Sequence, residues 1–144
     1  MQEKILFPNE IILKTKFWRI EQDWEVPLVG FFILVPLRTL QSIDELSDEE
    51  AVDFINLLRK LRKGMREILK IKEVYLFENE DTLHNFHLWI FPRHNWMEKF
   101  GKKIESVRPI INYTKENMTN KENFKEIKNA IEEMREYMNF NKNN

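Results

Sequence analysis

The stretch from Ser47 to about Lys70 constrains this chain more than any other. Ser47-Asp-Glu-Glu50 is a capping box: the serine hydroxyl can accept from the Glu50 amide while the Glu50 carboxylate returns to the Ser47 amide. Asp48 and Glu49 add negative charge where the helix dipole is positive. Downstream, Val52, Ile55, Leu58, Leu61, Met65, Ile68 and Leu69 recur at spacings of three and four, apart from the final pair. That periodicity predicts one long amphipathic helix with this stripe against a core. Arg59, Lys60, Arg62 and Lys63 lie off the stripe and read as a solvated face.

The segments on both sides of this helix read as strands. Glu10–Thr15 and Phe17–Gln22 are rich in β-branched and aromatic residues. Asp23–Pro27 breaks the pattern as a loop. Gly30–Val35 is apolar throughout between Gly30 and Pro36, as in a strand buried on both faces. After the helix, Glu73–Phe77 and Asn85–Phe91 are predicted strands, with the short polar link Glu78–Thr82 suiting a hairpin. From Trp96 the pattern turns helical. Met97, Phe100, Ile104 and Val107 share a face that is interrupted near Pro109. Thr119-Asn-Lys-Glu122 reads as a second capping box, and its helix carries the stripe Phe124, Ile127, Ile131, Met134 and Met138. The Asn- and Lys-rich tail beyond Phe140 is expected to fray. With no repeat or linker in 144 residues, the outline is one α+β domain.

Charge and composition narrow the function. Lys and Arg number 23 against 24 Asp and Glu, a formal net charge of −1. That balance argues against a dedicated nucleic-acid or membrane-surface binder. With no cysteine, disulfides and thiolate metal sites are excluded and nothing speaks for an oxidising compartment. The stretch Met1–Pro8 lacks the apolar core of a signal peptide. The longest apolar run, Val29–Pro36, falls far short of the roughly 20 residues that span a bilayer. The expectation is a soluble, cytoplasmic protein with no membrane and no nucleic-acid partner.

The predicted strand Asn85–Phe91 is the most informative for chemistry. Alternation places Phe86, Leu88 and Ile90 on one face and Asn85, His87, Trp89 and Phe91 on the other. An imidazole between an amide and an indole on one sheet face suits a phosphate and a base; taken alone it equally describes a half-buried histidine paired with a neighbour. His84 and His94 are the other histidines. An ideal strand puts His84 and His87 on opposite faces, and no carboxylate clearly completes a set, so no metal site is expected.

In register, several pieces resemble the histidine triad (HIT) superfamily over about Phe17 to Arg93. Asp23 stands where the family has a loop aspartate. Gly30-Phe-Phe-Ile-Leu-Val-Pro36 matches its strand ending in Val-Ile-Pro, and Leu46-Ser-Asp-Glu-Glu50 matches the entry to its long helix. Asn85-Phe-His-Leu-Trp-Ile-Phe-Pro-Arg93 stands where the family reads His-x-His-x-His-x-x-Pro-Arg. Asn85 and Trp89 replace the first and third triad histidines. Phe31 and Thr39 replace two others, so only the middle one, His87, remains. Some bacterial relatives read Phe-His-x-Trp-x-x-Pro-Arg, which makes Trp89 the mark of a sub-branch.

The resemblance implies an antiparallel sheet of about five strands with one long helix packed on it, a core over about 10–95, and a C-terminal helical extension over about 96–140. It implies attack on an α-phosphate by His87 through a nucleotidyl-histidine, without a cofactor. The substrate would be a dinucleoside polyphosphate, a phosphoramidate or an adenylate; the alternative is nucleotide binding without turnover. It matches Thr82 to the hydroxyl that supports the leaving oxygen, Asp23 to the carboxylate that holds the ribose, and Asn79 to a phosphate-contacting asparagine. Asn85 and Trp89 fall within the nucleotide site, with Asn85 able to donate to a phosphate oxygen. Read singly, Asp23, Asn79 and Thr82 are also ordinary loop residues, and Arg93 is either a phosphate ligand or a structural ion-pair partner. The family pairs through the long helix and the strand after it, so a homodimer with Glu73–Phe77 as its joining edge is expected. The extension is left to cover the site, wrap the partner or complete the core.

Overall fold

The structure, a computed structural model, describes residues 5–142. Met1–Lys4 and Asn143–Asn144 lie outside it; of the tail expected to fray, Asn141 and Lys142 are helical and the rest lies outside the described residues. Five strands, β1 (Ile11–Lys14), β2 (Trp18–Gln22), β3 (Phe32–Pro36), β4 (Glu73–Phe77) and β5 (Leu88–Arg93), form one antiparallel sheet in the order β1-β2-β3-β5-β4. The long helix α1 (Asp48–Glu67) joins β3 to β4, and α2 (Ile104–Asn117) and α3 (Lys121–Lys142) follow the sheet. This is the α+β arrangement expected.

Alternation along the central strands divides the protein into two cores. Trp18 and Ile20 of β2, Phe32 and Leu34 of β3, and Leu88 and Ile90 of β5 face α1 and α3. Phe31 and Phe91 point the other way and meet Val107, Ile110 and Ile111 of α2. All of β3 is buried, so the sheet is covered on both sides. The C-terminal helices therefore complete the hydrophobic core, one on each face.

The Ser47 capping box forms as expected, with the Ser47 hydroxyl accepting from the Glu50 amide at 3.2 Å and Glu50 returning to the Ser47 amide at 2.8 Å. The α1 stripe is rotated from the expected one. Phe54, Leu57, Leu61 and Met65 are buried, whereas Val52 and Ile55 are 59% and 48% exposed. Both sets obey three-and-four spacing. The larger Phe54 ring decides between them, packing 4.9 Å from Trp18 and 6.2 Å from Phe86 between centroids. Gly64 lets α3 approach closely: a Cβ there would sit 2.6 Å from the Tyr137 ring.

Three further boundaries move. Pro109 does not interrupt α2, which runs through it; the amide it lacks would have served the exposed Glu105 carbonyl one turn back. The cap of α3 is Asn120, whose side chain accepts from the Asn123 amide at 2.9 Å, while the Thr119 hydroxyl donates to the Lys115 carbonyl. Finally, β5 begins at Leu88 rather than Asn85, so the link from β4 is longer than expected. The Asn85 side chain and the Phe86 amide are drawn to the segment before α1, with Phe86 donating to the Leu40 carbonyl at 2.9 Å.

Candidate active site

A cavity of about 410 Å³ opens on the sheet face beside α2. Its floor follows the pleat: β2 aligns Arg19 with Val35 and Glu21 with Ile33, and β3 aligns Ile33 with Trp89. His87 lies two residues before Trp89 on the same side. One wall is the loop after β2, with Asp23, Trp24 and Glu25; the opposite wall is the loop after β4, with Asn79, Thr82, His84 and Asn85. Asp23, Asn79, Thr82, Asn85, His87 and Trp89, far apart in sequence, all line this one cavity.

His87 is half-buried, its ring 6.3 Å from Trp89 and 6.1 Å from His84. Its Nδ1 is 2.8 Å from the Asn85 carbonyl oxygen. A carbonyl can only accept, so Nδ1 carries a proton and donates, and in the neutral imidazole the lone pair falls on Nε2. That is the tautomer a nucleophilic imidazole requires. Glu78, a residue the sequence did not mark, is pushed up from the usual carboxylate range by burial and by Glu80, an effect partly offset by His87.

Asp23 is 7% exposed. One carboxylate oxygen accepts from the amides of Val26 at 3.0 Å and Glu25 at 3.2 Å. Burial nevertheless dominates and pushes the carboxyl up to about 6. The C-terminal helices brace this loop: Asn123 donates to the Pro27 carbonyl at 2.9 Å, and Lys115 sits 3.7 Å from Glu25.

Asn85 is engaged by backbone at both ends of its amide. Its oxygen accepts from Leu40 at 2.7 Å and its nitrogen donates to the Arg38 carbonyl at 3.2 Å. Its side chain thus fixes the segment before α1, and its carbonyl orients His87. Thr82 accepts from the His84 amide at 2.8 Å through its hydroxyl oxygen, leaving the hydroxyl proton to point elsewhere. Gln41 holds this loop through the Glu80 and Thr82 carbonyls. Trp89 packs edge-on against Phe31, centroids 5.5 Å apart. Asn79 is exposed at the rim.

The remaining motif residues serve structure. His94 Nε2 lies 2.7 Å from the Val29 carbonyl, and burial lowers its pKa, so a neutral imidazole ties the exit of β5 to the loop before β3. Arg93 donates to Ser106 at 3.2 Å and to the Gly101 carbonyl at 2.8 Å, and lies over the Tyr75 ring. It anchors the extension. Among the described residues no set of three His, Asp or Glu side chains is arranged to hold a metal ion, and no helix is long and apolar enough to cross a membrane.

Sequence reasoning missed Arg19, Glu21 and Trp24. Counting back in twos from Asp23 would have found the first two, since β2 presents them on the same face. Arg19 Nε donates to Glu21 at 2.7 Å, and the Trp24 indole donates to the other Glu21 oxygen.

No protein-family model and no curated protein sequence matches the chain. Solved structures do. A HIT family protein from Bacillus anthracis aligns with a TM-score of 0.55 at 19% identity, over 81% of this chain and 90% of that one. The diadenosine triphosphate hydrolase of Plasmodium falciparum, solved with cyclomarin A, aligns with 0.53 at 21% identity, over 83% and 89%. The C. elegans NitFhit protein aligns with 0.55 at 16% identity over 72% of this chain, which spans only 26% of that longer one. The fold is that of the histidine triad proteins.

Proposed function

We propose that this chain is a histidine triad enzyme that hydrolyses or transfers a nucleotide at its α-phosphate, with His87 as the nucleophile. The observation that carries the reading is the Nδ1–H to Asn85 carbonyl bond. It makes Nε2 the lone-pair nitrogen of the neutral imidazole, in a cavity shared with a buried carboxylate, Asp23, and a hydroxyl, Thr82. Nε2 donates its lone pair to phosphorus, and the bond from phosphorus to the leaving oxygen, or to the leaving nitrogen of a phosphoramidate, breaks. The Thr82 hydroxyl supports that oxygen. Water then cleaves the N–P bond, releases a nucleoside monophosphate and restores the imidazole. Asp23 accepts from the ribose hydroxyls, Asn79 stands at the phosphate rim, and Trp89 closes the floor. Asn85 acts through its carbonyl rather than as a phosphate donor. Substrates of this chemistry are dinucleoside polyphosphates, nucleoside phosphoramidates and adenylates. The absence of cysteine suits a cytoplasmic setting.

The active form we propose is a homodimer. β4 is an edge strand, and its Leu76 is 50% exposed; pairing with a second copy removes that edge.

A second reading, nucleotide binding without turnover, draws on one observation. The Asn85 amide is already engaged and Trp89 is packed on Phe31, so few donors remain to stabilise charge building on the phosphate. The two readings separate when wild type and His87→Ala are incubated with diadenosine polyphosphates, adenosine phosphoramidate, an acyl-adenylate and a nucleoside diphosphate sugar. Monophosphate release by wild type alone, with a nucleotide adduct on His87 after a denaturing quench at alkaline pH, supports turnover. Saturable binding without release supports the second reading, and equal release by both proteins refutes the role of His87.

A further inference from the structure

Arg19 lines the cavity and is held by the buried Glu21, a pair that the proposed chemistry leaves unused. The neighbouring floor positions on this sheet face are apolar: Ile33, Val35, Trp89 and, deeper, Phe31. Between them stands Glu21, 3% exposed, with one oxygen on Arg19 Nε and the other on the Trp24 indole. A charged pair set among apolar side chains gains little stability over well-packed hydrophobes, so its arrangement calls for another reason. Glu21 holds the guanidinium by Nε alone, which leaves the Nη donors of Arg19 for a ligand. Arg19 is the only Lys or Arg among the described residues lining the cavity.

The register fixes where those donors stand. Arg19 aligns with Val35; β3 and β5 pair as far as Leu34 and Leu88, and the next residue of each, Val35 and His87, lines the cavity. Arg19 is thus two strand spacings from the nucleophile, about 10 Å. Ile33 and Arg19 line the same cavity as His87 and Asp23, so the proposal sets a nucleotide with its phosphate at His87, its ribose at Asp23 and its base over Ile33, the outer edge of the base toward Arg19. Guanidinium has donors only. It matches the adjacent O6 and N7 acceptors of a 6-oxopurine and meets the N6 amino group of adenine unfavourably.

We propose that Arg19, held in place by Glu21 as a positioning residue, is the specificity-determining residue of this site and selects guanine over adenine nucleotides. The proposal rests on the nucleotide reading above. Its test is titration calorimetry of the full chain with GMP, IMP, AMP and 2-aminopurine riboside monophosphate, repeated on Arg19→Met and Glu21→Gln. Wild type is expected to bind GMP and IMP, which carry O6, roughly 10-fold more tightly than the two ligands that lack it. Arg19→Met should bring that ratio to about one through loss on the 6-oxo side, and Glu21→Gln should reduce it. Equal affinity of wild type for GMP and AMP, or a ratio that survives Arg19→Met, overturns the assignment while leaving the nucleotide site standing. Binding of none of the four removes both. Should the variants fail to fold, the wild-type series still decides, because GMP and 2-aminopurine riboside monophosphate differ at position 6.

Discussion

Replacing Asp23 with asparagine should make this protein more stable and worse at binding a nucleotide. The carboxyl is 7% exposed and raised from 3.8 to about 6 because burial outweighs its two amide hydrogen bonds. Between about pH 4 and pH 6 the folded protein holds a proton that the unfolded chain has lost. The stabilisation from this group is complete below pH 4 and is lost as the pH rises through 6. A rise of that size corresponds to roughly 3 kcal/mol of strain at neutral pH. Asparagine keeps an oxygen to accept from the Val26 and Glu25 amides and carries no charge. Allowing for its extra donor, which needs a water partner, Asp23→Asn should gain about 1–3 kcal/mol at pH 7.5 and raise Tm by several degrees. The assay is urea unfolding of both proteins from pH 4 to pH 8. Their difference should be full above pH 6.5 and close toward pH 4, and it reports Asp23 because every other carboxylate is common to both proteins. A variant no more stable than wild type at pH 7.5, or a gap that does not change with pH, would refute the argument. Stability given up at a ligand-facing carboxylate is a common cost of function.

The other predictions concern the frame of the site. Asn85→Ala removes the partners of the Leu40 amide and the Arg38 carbonyl and should cost about 1–3 kcal/mol in urea unfolding; a loss under 0.5 kcal/mol would mean the amide is not holding that segment. Gly30→Ala should cost about 1–3 kcal/mol, because Gly30 has φ +78° and a Cβ there would lie 2.5 Å from Ile71 Cδ1; unchanged thermal unfolding would contradict it. Glu50→Gln weakens the bidentate bond from Arg38 and the capping box. The Arg38 guanidinium and the Ser47 amide hold Glu50 down to about 2, so its contribution is present above pH 4.5 and lost as the pH falls through 2. Because Arg38 is half exposed, we expect about 1 kcal/mol at pH 7, with the gap to wild type narrowing in acid; a gap that widens there would reverse the sign.

Local chemistry made much of this protein legible in its sequence. The Ser47 capping box, the five strands, the double burial of β3 and the alternation that sets Phe86, Leu88 and Ile90 against His87, Trp89 and Phe91 all depend on neighbours within a few residues. So does the α3 stripe of Ile127, Ile131, Met134 and Met138. The order of those pieces was enough to point to the histidine triad arrangement.

Tertiary structure decided the rest. Two apolar stripes fit α1 equally well, and only the packing of Phe54 on Trp18 chose between them. Asn85 looked free to meet a phosphate until the segment before α1 claimed both ends of its amide. The proton on His87 is placed by a carbonyl two residues away that only the bend before β5 brings to its ring. Arg19 lines the cavity, held by Glu21, because β2 lies beside β3. Periodicity reports which side of an element a residue occupies; which neighbour waits on that side is settled by long-range packing.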